Sequence, residues 1–283
     1  MSTTHETKEM RPHNEAKVSI GQAIRFYYTQ FIGDISLKTT TVVLAISLLI
    51  LNTASTYFTH IGISETNWIA LAYNYSFPGR FGYAFTAIIG TQMATRSLTH
   101  GTLSRVFVAN KSHATTVSTF FACAIIHFIV LSIIFSLLHW AIITGALNVA
   151  GTIDGFPPRE LTEAAIRAVI VMVLWGIVGL SVGLIVRSPF IAVSVILGVV
   201  LVIEPTMTAV AYESGGDAPF LMYLPGSLNW ALTWPRVEPY IARAHTAEIS
   251  HPLAAFLLLI YTFVLSAFAW WKTPQHKLNR RIS

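Results

Sequence analysis

The chain has 283 residues, 54% of them hydrophobic and only 11% charged, with a mean hydropathy of +0.61. Soluble domains carry roughly 25% charged residues, so too little charge is present to clothe a water-soluble surface. The net charge of +5 reflects where Lys and Arg flank apolar runs and is no nucleic-acid signature, and the single Cys123 excludes an intrachain disulfide or a cysteine-based metal site.

Residues 1–17 are polar and lack an apolar core, so they read as a disordered cytoplasmic tail and not as a cleavable signal. Over residues 18–38, Ile20, Ile24, Tyr27, Tyr28, Phe31 and Ile35 recur every three or four positions, while Ser19, Gln22, Arg25 and Thr29 fill the other face. That spacing predicts an amphipathic helix lying in the membrane interface. Asp34 and Lys38 argue against a straight run into the first span.

A spanning helix needs about 20 mostly apolar residues, and six stretches offer them: 39–58, 80–95, 117–145, 164–186, 190–210 and 252–271. The second is short and rich in Gly and Thr; the third is longer than a bilayer requires. The expected fold is an all-α integral membrane protein, with a six-helix transmembrane domain over 39–272 and a basic tail over 273–283. Basic residues orient it. With both termini on one side, that side holds Lys8, Arg11, Lys17, Arg25, Lys38, Arg96, Arg105, Lys111, Arg187, Lys272, Lys277, Arg280 and Arg281, against Arg80, Arg159, Arg167, Arg236 and Arg243 opposite. Both termini are therefore expected in the cytoplasm.

On the outer side, residues 148–163, with Asp154, Gly155, Pro157 and Pro158, read as a plain loop. Residues 212–251 keep Phe220, Leu221, Tyr223, Leu224, Trp230, Leu232 and Trp234 between their turns. This segment is either a set of short helices dipping into the outer leaflet or a surface loop with aromatic anchors.

Catalytic motifs are absent. The sequence has no Gly-x-x-x-x-Gly-Lys-Ser/Thr phosphate loop, no His-Glu-x-x-His and no Gly-x-Ser-x-Gly, so it is not expected to be an enzyme or to hydrolyse ATP itself. His127 and His139 stand twelve residues apart in the third span, roughly 120° around a helix and about 18 Å along it. They cannot share a metal, and each is expected to face a neighbouring helix. Glu204 is the one acid inside a predicted span, and Pro205 follows it. An acid at this depth is either a polar point in a pathway or gate, or a helix end near the outer interface; Pro205 should kink the helix. Gly179 and Gly183 in the fourth span, and Ser194 and Gly198 in the fifth, form small-x-x-x-small steps that let helices approach closely in a compact bundle or a dimer.

Residues 95–114, between the second and third spans, are polar and basic yet carry Leu98, Leu103, Phe107 and Val108. The spacing predicts a short cytoplasmic helix with one face free to bind another protein, starting at Gly101-Thr102 with Thr102 as its cap.

These residues resemble the permease subunits of ABC-2-type transporters. In that family a segment after the second span reads Glu-aromatic-x-x-Gly-Thr-aliphatic, then Leu, then Pro-x-Arg. Aligned on Gly101-Thr102-Leu103, Phe107 stands at the Leu, Ser97 at the Glu, Lys111 at the Pro and His113 at the Arg. The stretch 179–205, with its Arg187-Ser188-Pro189 turn, is similar to the family's junction of fourth and fifth spans, and Leu224-Pro225-Gly226 is similar to its outer segment. The resemblance implies a plasma-membrane exporter subunit with no cofactor of its own. ATP and Mg would sit on a separate ATPase chain, and a second permease, identical or paralogous, would complete the pathway among membrane lipids. The helix over 101–113, through Gly101, Thr102, Leu103, Arg105, Phe107, Lys111 and His113, would seat in the ATPase, braced by the 18–38 helix. The cargo would be lipophilic or amphipathic: a drug, lipid or peptide. Two other classes stay open. One is a channel or immunity-type protein that works without ATP; the other is a membrane-embedded enzyme, for which only His127, His139 and Glu204 are available.

Overall fold

A computed structural model describes residues 20–61, 77–110, 112–149, 158–213, 219–233 and 249–273. Helices dominate these residues, and no strand occurs among them, as expected where lipid offers the backbone no hydrogen bonds. In chain order they are α1 (Ile20–Gly33), α2 (Ile35–Ile61), α3 (Phe77–Thr99), α4 (Thr102–Asn110), α5 (His113–Val149), α6 (Pro158–Val186) and α7 (Pro189–Leu197). A π-helical segment (Gly198–Ile203) leads into α8 (Glu204–Glu213), and a 3-10 turn (Pro219–Tyr223) leads into α9 (Pro225–Thr233); α10 (His251–Lys272) closes the described chain.

Four stretches are long and apolar enough to cross a membrane: His113–Ile142, Thr162–Val186, Pro189–Met207 and His251–Lys272. A fifth counts if Gly21–Gly33 and Ile35–Leu51, bent by 63° at their junction, form one broken span. This is the make-up of an integral membrane protein. Large apolar side chains such as Val42, Ile46, Leu137, Phe190, Phe263 and Val264 face outward, where lipid would be their solvent.

The expected second span, 80–95, lies within α3, which is not among the helices apolar enough to qualify. The reason is where α3 sits. Tyr83, Phe85, Thr86, Ala87, Ile89, Thr91, Met93, Ala94 and Thr95 are all buried, so α3 meets protein on most sides. Its threonines are satisfied along the helix itself: the Thr91 hydroxyl donates to the Ile88 carbonyl and Thr95 to that of Thr91, both at 2.8 Å.

α3 and α6 touch backbone to backbone. A Cβ built on Gly179 would lie 2.0 Å from the Ala87 carbonyl oxygen, one on Gly90 would lie 2.2 Å from that of Gly176, and one on Gly183 would lie 2.8 Å from Ala94 Cβ. Glycine is required at these points because no side chain fits. The Ser194 and Gly198 step differs. Ser194 is exposed, and a Cβ on Gly198 would meet nothing within 4 Å, so within this chain that step brings no helix close.

Two expected elements take a different form, and a third takes one of its two expected forms. The amphipathic helix over 18–38 ends at Gly33, and Lys38 belongs to α2. Asp34 makes the break: its Oδ1 accepts the Leu37 N–H at 3.0 Å and so caps a new helix. Within α1, Ala23, Tyr27 and Phe31 are buried against α5 while Tyr28 turns outward, as does Ile35 at the start of α2. The fifth span is not a plain kinked helix. Pro205 cannot donate to the ladder and crowds the carbonyl four residues back, and the chain accommodates it by widening into the π segment, where the Glu204 N–H reaches the Val199 carbonyl. Within 212–251, residues 219–233 form short helices, with α9 packed against α3, α6 and α10; residues 234–248, including Trp234, lie outside the described residues, as do 1–19, 150–157 and 274–283.

Candidate functional site

The end of the bundle that carries α4 gathers Gly101, Thr102, Leu103, Arg105, Phe107 and His113. α3 ends at Thr99, and the chain reverses at Gly101, whose φ of +68° is left-handed, a conformation that favours glycine. The Arg105 N–H donates to the Gly101 carbonyl at 3.0 Å, so the helix starts from Gly101. Thr102 is not the cap: its hydroxyl donates to Gln30 Oε1 of α1 at 3.4 Å.

The burial of α4 reverses the expected free apolar face. Leu103 and Val106 are buried in the main core, with Leu98 and Phe107 packed partly against it. The short helix is amphipathic because it grips its own bundle. Arg105 and Val108 remain exposed. Lys111 lies outside the described residues. His113 does not belong to the short helix, which ends at Asn110. It opens α5, is buried, and its Nε2 bonds the Thr273 carbonyl while its ring meets Trp270 edge-on with centroids 5.3 Å apart. It ties α5 to the end of α10 and is unavailable for docking.

A second tie joins this end to the N-terminal helices. Arg96, in the last turn of α3, reaches Asp34 with Nη1 at 2.6 Å from Oδ1 and 2.8 Å from Oδ2, while Nη2 contacts the Ser36 hydroxyl. The α1–α2 joint is thus fixed to the α3–α4 corner. Sequence reading singled out Asp34 as a break but missed Arg96 as its partner; 62 residues separate them, and no local pattern links such positions. Partial burial alone would raise the Asp34 pKa, but the Arg96 hydrogen bonds, the Leu37 N–H and the Arg96 charge outweigh it and hold the carboxyl below its usual value. A depressed carboxyl pKa stabilises the fold above the unfolded value, about 3.9, and the gain is lost as pH falls through the folded value. Wild type is therefore expected to melt above Asp34→Asn at pH 7, and the two melting temperatures should converge as pH drops below about 4. A gap independent of pH would contradict the ion pair.

The other polar candidates lie elsewhere. His127 sits between Phe31 and Phe128, ring centroids 6.1 and 6.2 Å away, and His139 is fully buried. No group of three or more His, Cys, Asp or Glu able to hold a metal occurs among the described residues. Glu204 is 5% exposed, and its Oε2 accepts the Gly226 N–H at 2.7 Å, with the Ser227 N–H also directed at the carboxylate. Glu204 therefore caps α9, joining Glu204-Pro205 to Leu224-Pro225-Gly226. No helix ends at Glu204; the chain continues through α8.

Compared with known proteins, the chain matches no family model and no curated sequence.

Proposed function

We propose that this chain is the membrane permease of an ABC-2-type exporter, with six spans (α3 among them), both termini in the cytoplasm and a seat for a separate ATPase at α4. One observation carries the reading: a short helix, set off by a left-handed glycine, follows the corner that holds Arg96 and is rigidly anchored yet exposes Arg105 and Val108. A loop that only joined two spans would not need Leu103 and Val106 buried in the core beneath it.

The anchoring supports a role as a lever. Load applied at Arg105 and Val108 passes through Leu103 into the core, through Thr102 to α1, and through the α3–α4 corner to the Asp34–Arg96 pair and α2. ATP binding on the partner would favour one packing of the helices and hydrolysis would release it, a two-state switch biased at its inner end. The pathway would lie between this chain and a second permease, and its apolar walls suit a lipophilic or amphipathic cargo.

The test is isolation of the tagged chain from native membranes in mild detergent. Recovery of an ATPase subunit in fixed stoichiometry, with hydrolysis that depends on the permease, is the expected result. A chain that purifies without one, and still conducts or transports in liposomes, would favour the ATP-independent channel instead.

A further inference from the structure

Many buried hydroxyls in this bundle are satisfied within their own helix. Thr86, Thr95, Ser181 and Thr262 each donate to a carbonyl three or four residues back, at 2.8–3.1 Å. Ser132 and Ser136 of α5 break this pattern. They are 0% and 3% exposed, yet neither hydroxyl has a hydrogen-bond partner among the described residues, and the indole N–H of Trp140, one turn further on, also lacks one. The spacing i, i+4, i+8 puts all three on one face of the helix. That face is turned into the protein: the Phe128 ring fills the space beside Gly176 of α6, and Phe135 stacks on Phe85 of α3 with centroids 5.3 Å apart. On the other side of the same turns Ile133, Ile134, Leu137 and Leu138 are exposed. Polar groups inside and aliphatic ones outside mark a span that borders internal water.

We propose that the half of α5 toward Val149 binds a short file of water against α3 and α6, closed toward His113 by aromatic rings. The inference goes beyond the permease reading and does not rest on it. A hydroxyl or indole N–H left dry in the interior is costly, and the spacing here suits water. Four helical residues rise about 6 Å, and one water hydrogen-bonded on both sides spans about 5.5 Å. A water between Ser132 and Ser136, and another between Ser136 and Trp140, each gain two polar partners, the least that such a site needs. Toward His113 the same face continues as Phe128, Ala124, Cys123 and Phe120, all fully buried. Tyr27 and Phe31 of α1 meet Phe120 edge-on at 5.3 and 5.8 Å, and the Cys123 thiol donates to the Ile24 carbonyl at 3.7 Å. Rings fill the path there, and the ladder of hydroxyls stops at Ser132.

Hydroxyl-radical footprinting of the full chain in proteoliposomes tests this without a known cargo, because a brief radiolytic pulse oxidises a buried side chain only where water lies beside it. Ser132→Cys and Ser136→Cys are made separately, and the buried native Cys123 is kept as the internal reference. Oxidation at 132 and at 136 is expected to run at least about tenfold faster than at 123, since only the first two touch bound water. A rate at either position no faster than at Cys123 would mean a dry interior and overturn the proposal. Oxidation of Cys123 as fast as at 136 would overturn the seal and point to a continuous channel. Melting temperatures of Ser132→Ala and Ser136→Ala give a second reading whose sign decides. Loss of a bond to bound water lowers each by about 2–4 °C, and the double variant falls by less than the sum because the shared water is lost once. Removal of a hydroxyl that bonds nothing raises the midpoint, so a rise in either single variant would contradict bound water. Neither readout involves an ATPase, so the permease reading can fail while the water site stands, and the reverse.

Discussion

Gly179→Ala is expected to lower the melting temperature of the detergent-solubilised chain by roughly 5–10 °C, and Gly198→Ala to leave it unchanged or raise it. The added methyl at 179 would fall 2.0 Å from the Ala87 carbonyl oxygen and 2.7 Å from its Cα. Both are backbone atoms, so no rotamer change can relieve the clash, and α3 and α6 must separate. Overpacking of this kind costs about 1–3 kcal/mol or more, and each kcal/mol shifts the midpoint by about 2–4 °C in a chain of this size. At Gly198 the backbone is ordinary right-handed helix with φ of −60°, and the new methyl meets nothing within 4 Å. Alanine's better helix propensity, up to about 1 kcal/mol, is then the only effect. An equal fall at both positions would mean that a neighbour, such as a second copy of the chain, lies against the Gly198 face.

Arg105→Glu combined with Val108→Asp is expected to reduce permease-dependent ATP hydrolysis at least about tenfold while leaving the melting temperature within a few degrees of wild type. Both side chains are exposed on α4, and exposed substitutions away from caps and cores change stability by less than about 0.5 kcal/mol. Reversing a charge and burying an acid in a docking surface, by contrast, weakens association by repulsion and unpaired desolvation. Phe107→Asp is the wrong test of the same idea, because Phe107 packs partly against the core and an acid there would damage the fold and the seat together. Intact coupled hydrolysis in the double variant would move the seat away from α4.

What the sequence revealed follows from what determines each feature. Long apolar runs depend on composition alone, so the stretches 117–145, 164–186, 190–210 and 252–271 each coincide over most of their length with a helical stretch that passes for a span. The stretch 80–95 was legible as a helix but not as a protein-enclosed one: its glycines serve the close approach to α6 and its threonines bond back along their own helix, and both lower its hydropathy. The turn at Gly101 was readable because a left-handed position demands a residue type. The side of α4 facing the core was not, since an amphipathic pattern is the same whether the apolar face meets a partner or its own bundle. His113 went to the wrong element because the helix stops at Asn110 and its partner, Thr273, lies 160 residues away. Likewise, Glu204 and Leu224-Pro225-Gly226 both drew notice, but only the fold joins the acid to the helix start it caps.

The most direct measurement places a photo-reactive residue at position 108 and, separately, at outward-facing Ile46 of α2, irradiates native membranes, and identifies what each captures. A cross-link from 108 to a nucleotide-binding subunit, stronger or weaker with ATP and missing from 46, is the expected result. Capture of lipid alone at 108, or reaction there with a reagent confined to the outer face, would contradict an inner ATPase seat on α4.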